Sequence, residues 1–353
     1  MGNGQESVKK KQPLSGGILS HRPIRAVTYF LAPAAYSDVR CRLPVRLEAG
    51  ACMRFLKKLR AGSGALAVAA TLAVTTAVPA GAITGDYVKD NEHPFVGLIV
   101  FYGPDGGFHH RCSGSLLTPT VFLTAGHCTA GVSSARVYFQ QDAGADWSPD
   151  TGTDPDTGYP SACADGTLGT QCATSHEIYN YGYTGMDAVP ETKDAGLVIL
   201  DQPIMLDEYA RLAAPGTLDA LATQRGRQDT TFTSSGYGIS AAGPAAGETS
   251  FRERLMAQSK LTNLTSASAD GYNVQTNGNG KGLGGTCTAD SGGPLFYGAA
   301  GSNTIAGITS FNRNRYCKGT NFSYRTDRQD VIDWIRATTG GEFSNIAFAP
   351  AVG

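Results

Sequence analysis

The most informative stretch of the chain runs Gly285-Thr286-Cys287-Thr288-Ala289-Asp290-Ser291-Gly292-Gly293-Pro294. Glycines around a serine let main-chain amides approach a bound molecule closely. A serine hydroxyl is a poor nucleophile at neutral pH, because it keeps its proton unless a base removes it. If Ser291 is a nucleophile, the fold must supply a base and fixed N–H donors for the developing negative charge.

Two upstream segments offer the missing side chains. The segment Leu123-Thr124-Ala125-Gly126-His127-Cys128 carries a histidine, whose side chain titrates near neutral pH. The segment Asp194-Ala195-Gly196-Leu197-Val198-Ile199-Leu200 carries an acid, and an imidazole base needs an acceptor on its far nitrogen to fix its tautomer. We prefer Asp194 to Asp187 or Asp201 because only Asp194 directly precedes a run with the composition of a buried strand.

Each segment alone has an ordinary structural explanation. A histidine beside a cysteine is more often structural, an Asp before an apolar run is usually a strand-end cap, and strings such as Gly-Asp-Ser-Gly occur in many turns. The three residues occur together, in the order His127, Asp194, Ser291, in a chain rich in predicted strands. That combination indicates nucleophilic catalysis.

Short apolar, β-branched runs between Gly, Asp, Ser and Pro turns predict an all-β fold, a sandwich or a barrel. The one clear helix is predicted at the end, where Thr326 and Gln329 have capping-box spacing. Its apolar face consists of Val331, Ile332, Trp334 and Ile335. The predicted strands include residues 95–101, 121–124, 136–139, 196–200, 231–233, 295–297 and 304–308.

The N-terminal part predicts export. A cationic stretch after Met53 is followed by an apolar run and then by small residues at Ala80 and Ala82, the pattern of a secretory signal peptide over residues 53–82. A membrane anchor is disfavoured because the apolar run is shorter than the ~20 residues that span a bilayer. Residues 1–52 are interpreted as an over-extended reading frame, with a genuine long extension as the alternative.

Charge and cysteine content narrow the function classes. Lys and Arg number 29 against 30 Asp and Glu, so no basic excess favours nucleic acid or anionic lipid. None of the eight cysteines forms a Cys-x-x-Cys pair, which disfavours a zinc ribbon. Export removes Cys41 and Cys52 and allows the remaining six to form disulfides.

Residues 141–192 differ in composition, being rich in Asp, Gly, Thr and Pro. We interpret them as long surface loops tied by a local Cys163–Cys172 disulfide. A calcium site among the acids is the alternative. A solvated loop is favoured because the fixed spacing of an Asp-x-Asp-x-Asp-Gly loop is absent. We therefore expect no metal site and no cofactor.

The three motif segments resemble those of the chymotrypsin/trypsin family, the S1 serine peptidases, and most closely its bacterial secreted branch. The resemblance covers roughly residues 83–337, and its Thr-Ala-Gly-His-Cys and Asp-Ser-Gly-Gly-Pro strings are highly specific. It implies two packed six-stranded antiparallel β-barrels with a C-terminal helix over residues 83–340. Residues 341–353 would form a C-terminal tail.

The resemblance assigns the catalytic roles position by position. His127 matches the family's base, Asp194 its acid and Ser291 its nucleophile. The oxyanion would be bound by the main-chain N–H groups of Ala289 and Ser291. The family usually has glycine at the position of Ala289, and a Cβ there would strain the turn if its φ is positive.

The resemblance also implies a route to the active form. Family members become active when a new N-terminal Ile or Val amine pairs with the Asp before the nucleophile, here Asp290. Cleavage after Ala82 would expose Ile83 directly. Cleavage after Ala80 is the alternative, and it would leave a two-residue stub that needs a second cut.

The family's disulfides and substrate pocket have counterparts as well. Cys112–Cys128 would pin the loop that carries the base, and Cys287–Cys317 would brace the pocket. Trypsins have an Asp where this chain has Gly285, so a Lys or Arg entering the pocket would be unpaired. We expect apolar side chains before the cleaved bond, in a pocket formed by Gly285, Thr286, Ser310, Phe311 and Asn312.

Together these features predict a secreted, extracellular serine endopeptidase, a hydrolase that cleaves proteins or peptides through an acyl-enzyme. We expect a monomer that binds neither nucleic acid nor, after signal cleavage, a membrane. A catalytically dead relative acting as a binding protein is disfavoured by the intact triad. An α/β-hydrolase esterase is disfavoured because Gly-x-Ser-x-Gly is absent around Ser291 and the triad order differs.

Overall fold

The computed structural model describes residues 83–143, 159, 163, 172–222, 229–240, 252–298, 301–314 and 316–350. The predicted signal peptide, the residues before it and most of residues 144–171 lie outside these ranges. The described residues all fall within one structural unit, Thr75–Gly353. None of their helices has the length and apolar character that crossing a bilayer requires.

Strands dominate the described residues, which also contain two 3-10 helices (Met186–Ala188 and Gly340–Asn345) and three α-helices: α1 (Gly126–Thr129), α2 (Asp219–Ala222) and α3 (Gln329–Thr339). The strands are β1 (Thr84–Gly85), β2 (Val88–Lys89), β3 (Val96–Tyr102), β4 (Phe108–Leu116), β5 (Val121–Thr124), β6 (Ser134–Tyr138), β7 (Cys172–Ser175), β8 (Glu177–Asn180), β9 (Gly196–Ile199), β10 (Arg211–Leu212), β11 (Thr231–Gly236), β12 (Leu255–Asn263), β13 (Asn273–Asn277), β14 (Gly284–Gly285), β15 (Pro294–Tyr297), β16 (Thr304–Asn312) and β17 (Thr320–Arg325).

The N-terminal sheet consists of seven strand segments in the order β7-β6-β3-β4-β5-β9-β8, and every pairing is antiparallel. When β7 and β8 are taken as one strand, the sheet is a ring of six. Only His176 separates β7 from β8, so the two form one bent strand that pairs with β6 by its first half and with β9 by its second. The bend closes the ring, and no edge of this barrel is left open at that seam.

The C-terminal sheet closes in the same way. Its strands follow the order β16-β15-β11-β12-β13-β17, and β17 pairs back onto β16. Outside this ring, β2 pairs with β12 and β10 runs parallel to β16. The predicted architecture of two six-stranded antiparallel barrels with a C-terminal helix is therefore confirmed.

The core fills the barrels and the space between them. β3 reads Val-Gly-Leu-Ile-Val-Phe-Tyr and is buried at every position except Tyr102, as expected for a strand covered on both faces. One apolar cluster includes Phe101 of the N-terminal barrel together with Phe296 and Tyr324 of the C-terminal barrel. The two barrels thus share a continuous core, which fixes the cleft between them.

The first residues of the domain belong to the opposite barrel. We call residues 83–95 the N-terminal strap. Its β1 pairs with β14 and its β2 pairs with β12, both in the C-terminal half, before the chain crosses over into β3. At the crossing the His93 ring stacks on Phe296 at 4.4 Å, and its Nδ1 lies 2.9 Å from the buried carboxylate of Asp90.

The predicted helix is confirmed, but its predicted cap is wrong. α3 begins after Arg328, and no side-chain cap bond is made there. The Thr326 hydroxyl instead donates to the carbonyl of Ile305, 3.2 Å away on β16. The helix still buries the expected face, with Val331, Ile332 and Ile335 buried and Trp334 packed partly against the core.

Two segments differ from their predicted character. Residues 172–180 were expected within a long surface loop, but they form β7 and β8, because barrel closure needs a strand between β6 and β9. Residues 341–350 were expected in a tail, and they lie against the domain. Ile346 is buried, and Phe348 forms a parallel bridge with Leu212 of β10.

Candidate active site

His127 projects from α1, the single turn that follows β5. The main-chain N–H of His127 donates to Oδ1 of Asp194 at 2.7 Å, and its ring Nδ1 lies 2.9 Å from Oδ2 of the same carboxylate. Gly126 allows this turn to approach β9, since a Cβ there would lie 3.0 Å from the carbonyl oxygen of Ala195. The sequence Ala-Gly-His-Cys therefore brings His127 and Asp194 together through both a main-chain and a side-chain contact.

Asp194 is fully buried, two residues before the start of β9. Besides His127, its carboxylate accepts a short hydrogen bond from the hydroxyl of Ser310 on β16. Ser310 was expected only as a pocket residue, so its role in holding the acid was missed. This bond crosses from one barrel to the other, and it fixes the acid relative to the C-terminal half of the site.

Opposing effects set the charge states of this pair. Burial acts to lower the pKa of His127, but the charge of Asp194 and its hydrogen bond raise that pKa above the ordinary value. Burial acts to raise the pKa of Asp194, but His127 and the Ser310 hydroxyl hold it below its usual range. Asp194 is therefore an anion at neutral pH, and it favours the protonated form of His127.

Ser291 lies in the turn between β14 and β15, contributed by the C-terminal barrel. Its carbonyl oxygen accepts from the N–H of Ser113 at 2.8 Å. Gly292 follows at φ 83°, where a Cβ would fall 2.1 Å from the Thr124 hydroxyl, so only glycine fits. Ser291 and His127 line the same cavity of about 470 Å³, which is where a scissile bond would bind.

The two expected oxyanion donors, Ala289 and Ser291, also line this cavity. Ala289 has φ 68°, a left-handed conformation that costs an L-residue roughly 1–2 kcal/mol. Its carbonyl oxygen accepts from the Ser113 hydroxyl at 2.9 Å, which holds the turn in place. The strain expected from an alanine at this position is therefore present in the structure.

Asp290 supports the same turn from inside. Its carboxylate is fully buried and accepts from the N–H groups of Cys287 and Gly238, both at 2.8 Å, and from the N–H of Ile83. Burial raises its pKa to about 7, and these three bonds offset only part of the effect. Ile83 is itself fully buried, with φ 69°. The bond from its N–H shows that Ile83 and Asp290, the two residues of the expected ion pair, are adjacent.

The expected substrate pocket is only partly formed by the predicted residues. Thr286, Ser310, Phe311 and Asn312 line the cavity, and Phe311 is held by stacking on Phe322 at 4.5 Å. Gly285 does not line it. A Cβ on Gly285 would lie 2.6 Å from Nδ2 of Asn321, so the Asn321 amide occupies the space behind the pocket wall.

Asn321 supports the pocket wall from behind, and sequence reasoning missed it. It is buried on β17, opposite Asn312 of β16, and its Oδ1 accepts from the Thr286 hydroxyl at 3.2 Å. The pairing of β16 with β17 contains a bulge between Thr309 and Phe311. Such a register shift cannot be read from the sequence, and no local signal marks Asn321.

The three expected disulfides are bonded in the structure: Cys112–Cys128, Cys163–Cys172 and Cys287–Cys317. The first ties β4 to α1 and so restrains the helical turn that carries His127. His110 also lies within 4.8 Å of both sulfurs of that bridge, the one such three-residue group among the described residues. Because the sulfurs are bonded to each other, they offer no thiolate to a metal ion.

Two closed barrels, with Ser291, His127 and the buried Asp194 at their junction, have the architecture of the chymotrypsin-like serine proteases. The sequence model of the family described as Trypsin matches residues 82–335. The chain therefore belongs to the trypsin family of serine endopeptidases. Matching relatives include insect and crustacean proteins. They give no support to the bacterial secreted branch that the motifs indicated.

Individual relatives are distant. Brachyurin of Leptuca pugilator is 27% identical over 65% of this chain and 88% of its own length. A CLIP domain-containing serine protease B4 of Anopheles gambiae is 25% identical over 72% of this chain and 69% of its own length. Trypsin zeta of Drosophila erecta is 29% identical over 40% of this chain and 46% of its own length, so the match spans less than half of that relative. A solved HL collagenase structure has TM-score 0.52 and 18% identity, covering 74% of this chain and 99% of that one, and shows the shared fold.

Proposed function

We propose that this protein is a secreted endopeptidase that cleaves peptide bonds through an acyl-enzyme on Ser291. The single observation that carries the proposal is the buried Asp194 held against His127, with the ring and Ser291 facing one cavity. In this arrangement His127 takes the proton of the Ser291 hydroxyl and later gives it to the leaving amine. Asp194 fixes the tautomer and stabilises the imidazolium that forms between these steps.

The oxyanion is bound by the main-chain N–H groups of Ala289 and Ser291. Preorganised donors of this kind each contribute about 3–4 kcal/mol to transition-state binding in related chemistry. The bonds from Ser113 to the carbonyl oxygens of Ala289 and Ser291 support the proposal, since they hold the turn before substrate arrives. The strained φ of Ala289 is maintained by these contacts rather than by the residue's own preference.

The substrate residue before the cleaved bond is uncharged and preferably apolar. No Asp or Glu is among the residues that line the described cavity. A Lys or Arg side chain would therefore lose its hydration without gaining a partner. The Asn321 amide behind Gly285 makes the site shallower than an open pocket would be, which favours side chains of small to moderate size.

The active form begins at Ile83, after signal-peptide cleavage following Ala82. The adjacency of Ile83 to the Asp290 carboxylate supports this, because a new ammonium group needs little movement to pair with it. Export to the extracellular space is supported by the disulfides, which persist in oxidising compartments. We propose further that the protein is a monomer and that it belongs to the bacterial secreted branch of the family.

A fluorophosphonate probe followed by peptide mapping tests the core of the proposal. The expected result is a single adduct on Ser291, absent from a Ser291→Ala variant that folds normally. Absence of labelling in the wild-type protein would instead favour the binding-protein alternative. A peptide library then tests specificity, and preferred cleavage after Lys or Arg would refute the uncharged pocket.

N-terminal sequencing of the secreted, labelled protein tests the start at Ile83. A chain that begins at Gly81 or well beyond Ile83 would overturn that part of the proposal. The labelling result does not depend on this outcome. Peptides from before Met53 in the precursor would likewise show that residues 1–52 are translated.

A further inference from the structure

Two neighbouring histidines point to the same side of β4. Consecutive residues of a strand normally face opposite sides of a sheet. Here Phe101 pairs with His110 and Tyr102 pairs with Phe108, so His109 is an extra residue, the mark of a β-bulge. The bulge turns His109 toward its neighbour, and the two Nδ1 atoms lie 2.7 Å apart.

The tautomer of His110 is fixed by its surroundings. Its Nε2 lies 2.8 Å from the carbonyl oxygen of Cys128, which can only accept a hydrogen bond. The neutral ring therefore carries its proton on Nε2 and a lone pair on Nδ1, directed at His109. Metal-binding histidines almost always donate their other ring N–H to a carboxylate, a main-chain carbonyl or a water molecule, and His110 has such a partner in Cys128.

The two nitrogens have the separation of neighbouring ligands on one ion. With bonds of ~2.0–2.1 Å, nitrogens 2.7 Å apart subtend about 80° at the ion, close to the right angle of tetragonal coordination. Tetragonal nitrogen sites are typical of Cu²⁺, which also binds imidazole more tightly than Zn²⁺ does. No carboxylate lines the described cavity, so it offers little to Ca²⁺ or Mg²⁺.

A metal ion bound by His109 and His110 would lie in the same cavity as Ser291. His109, His110 and His127 all line the cavity that also contains Ser291. His110 bonds the carbonyl oxygen of Cys128, the residue that follows His127, so the metal-binding pair lies beside the turn that carries His127. A dication held there would oppose formation of the His127 imidazolium, which hydrolysis requires in the proposed mechanism.

We propose that His109 and His110 form a two-imidazole site for a divalent transition-metal ion, Cu²⁺ in preference to Zn²⁺, and that the bound ion inhibits the protease. The inhibitory part rests on the proposed function, whereas the binding part does not. A plain hydrogen bond between the two rings is the competing explanation of their contact. It predicts no metal affinity that depends on His109.

Binding is measured on the full-length Ser291→Ala protein, so activity is not involved. Cu²⁺ is titrated by calorimetry and by visible absorbance, with Ca²⁺ as a comparison ion. We expect one Cu²⁺ site whose affinity falls about 10-fold or more in His109→Gln. His176→Gln removes another exposed histidine, bonded to Asp201 away from the cavity, and should leave that affinity unchanged. Equal Cu²⁺ affinity in His109→Gln and the parent would overturn the site.

Inhibition is measured as the rate of fluorophosphonate labelling of the Ser291 protein with increasing Cu²⁺. We expect the rate to fall as the site fills, and His109→Gln to need about 10-fold more Cu²⁺ for the same loss. A labelling rate that stays constant while the site fills would overturn the inhibitory role. If metal-free protein is not labelled at all, the proposed function fails, and the binding result still decides the site.

Discussion

The carboxylate of Asp194 meets His127 at two points, accepting its main-chain N–H at 2.7 Å and lying 2.9 Å from its ring Nδ1. One acid therefore both shapes the turn of α1 and orients the imidazole. Ser310 supplies a third contact from the other barrel. The orientation of the His127 ring thus depends on a residue that is completely shielded from solvent.

Replacing this acid should abolish most activity. In Asp194→Asn, an amide can present its NH₂ to Nδ1 and favour the wrong tautomer, so we expect kcat to fall about 10⁴-fold. Asp201→Asn is the matched control, because Asp201 is the alternative acid in the sequence and bonds only at the surface. Kinetics on a peptide ester check both variants. Equal losses in the two would contradict the assignment of Asp194.

The pH dependence of kcat/KM should report His127. The neutral imidazole is the base, so activity is present above its pKa and lost as pH falls through that value. Because Asp194 raises this pKa above the ordinary 6.5, the midpoint of the acid limb should lie above pH 6.5. A midpoint below that value would mean that burial outweighs the attraction of Asp194.

Ala289→Gly should stabilise the protein. Glycine adopts φ 68° without the Cβ clash, so we expect the free energy of unfolding to rise by about 1 kcal/mol, with kcat/KM maintained or increased. Ala125→Gly is the control, since Ala125 has an ordinary φ of −86° and should lose about 0.5–1 kcal/mol. Denaturant unfolding in a Ser291→Ala background measures both. Destabilisation by Ala289→Gly would show that the turn is not strained.

The uncut chain should lose stability as pH rises. The folded pKa of Asp290 is about 7, above its ordinary 3.8, so its contribution is fully present below pH 3.8 and is lost as pH rises through 7. Between these pH values the free energy of unfolding should fall, relative to that of Asp290→Asn, by at most about 4 kcal/mol. Unfolding from pH 4 to pH 8 in a Ser291→Ala background measures it. After cleavage before Ile83, the ammonium should largely remove this dependence, and an unchanged pH profile would argue against the ion pair.

Converting the pocket to accept cations should require two changes. In Gly285→Asp the new Cβ would lie 2.6 Å from Nδ2 of Asn321, so we expect lower stability and little cleavage after Arg. Adding Asn321→Gly opens that space, and the double variant should gain at least about 10-fold in kcat/KM for Arg over Phe substrates. The two effects should be strongly non-additive. Equal gains in the single and double variants would mean that Asn321 does not block the pocket.

Local features of this protein were predictable because each rests on residues adjacent in sequence. The runs at β3, β5, β9 and β15 are apolar enough to read as strands, and glycine at position 292 marks a backbone conformation that no other residue fits. The motif around His127 likewise sets its turn by a glycine that permits close approach to β9. Such features need no knowledge of distant pairings.

The missed features all depend on contacts between distant segments. β4, β12, β13 and β17 carry many polar residues, and barrel pairing rather than composition makes them strands. Asn321 reaches Gly285 only through the bulged register of β16 and β17. Thr326 was predicted to cap a helix, but a carbonyl 21 positions earlier in the chain competes for its hydroxyl.

The N-terminal strap has a consequence for how the protein is made. β1 pairs with β14 about 200 residues later, with Thr84 opposite Gly285, and closing so long a loop is entropically costly and slow. A chain that emerges N-terminus first holds these opening residues without a partner until nearly the whole domain has left the ribosome. The first residues of the domain to be synthesised are therefore among the last to dock, and the turn that carries Ser291 is completed only when synthesis of the domain is almost finished.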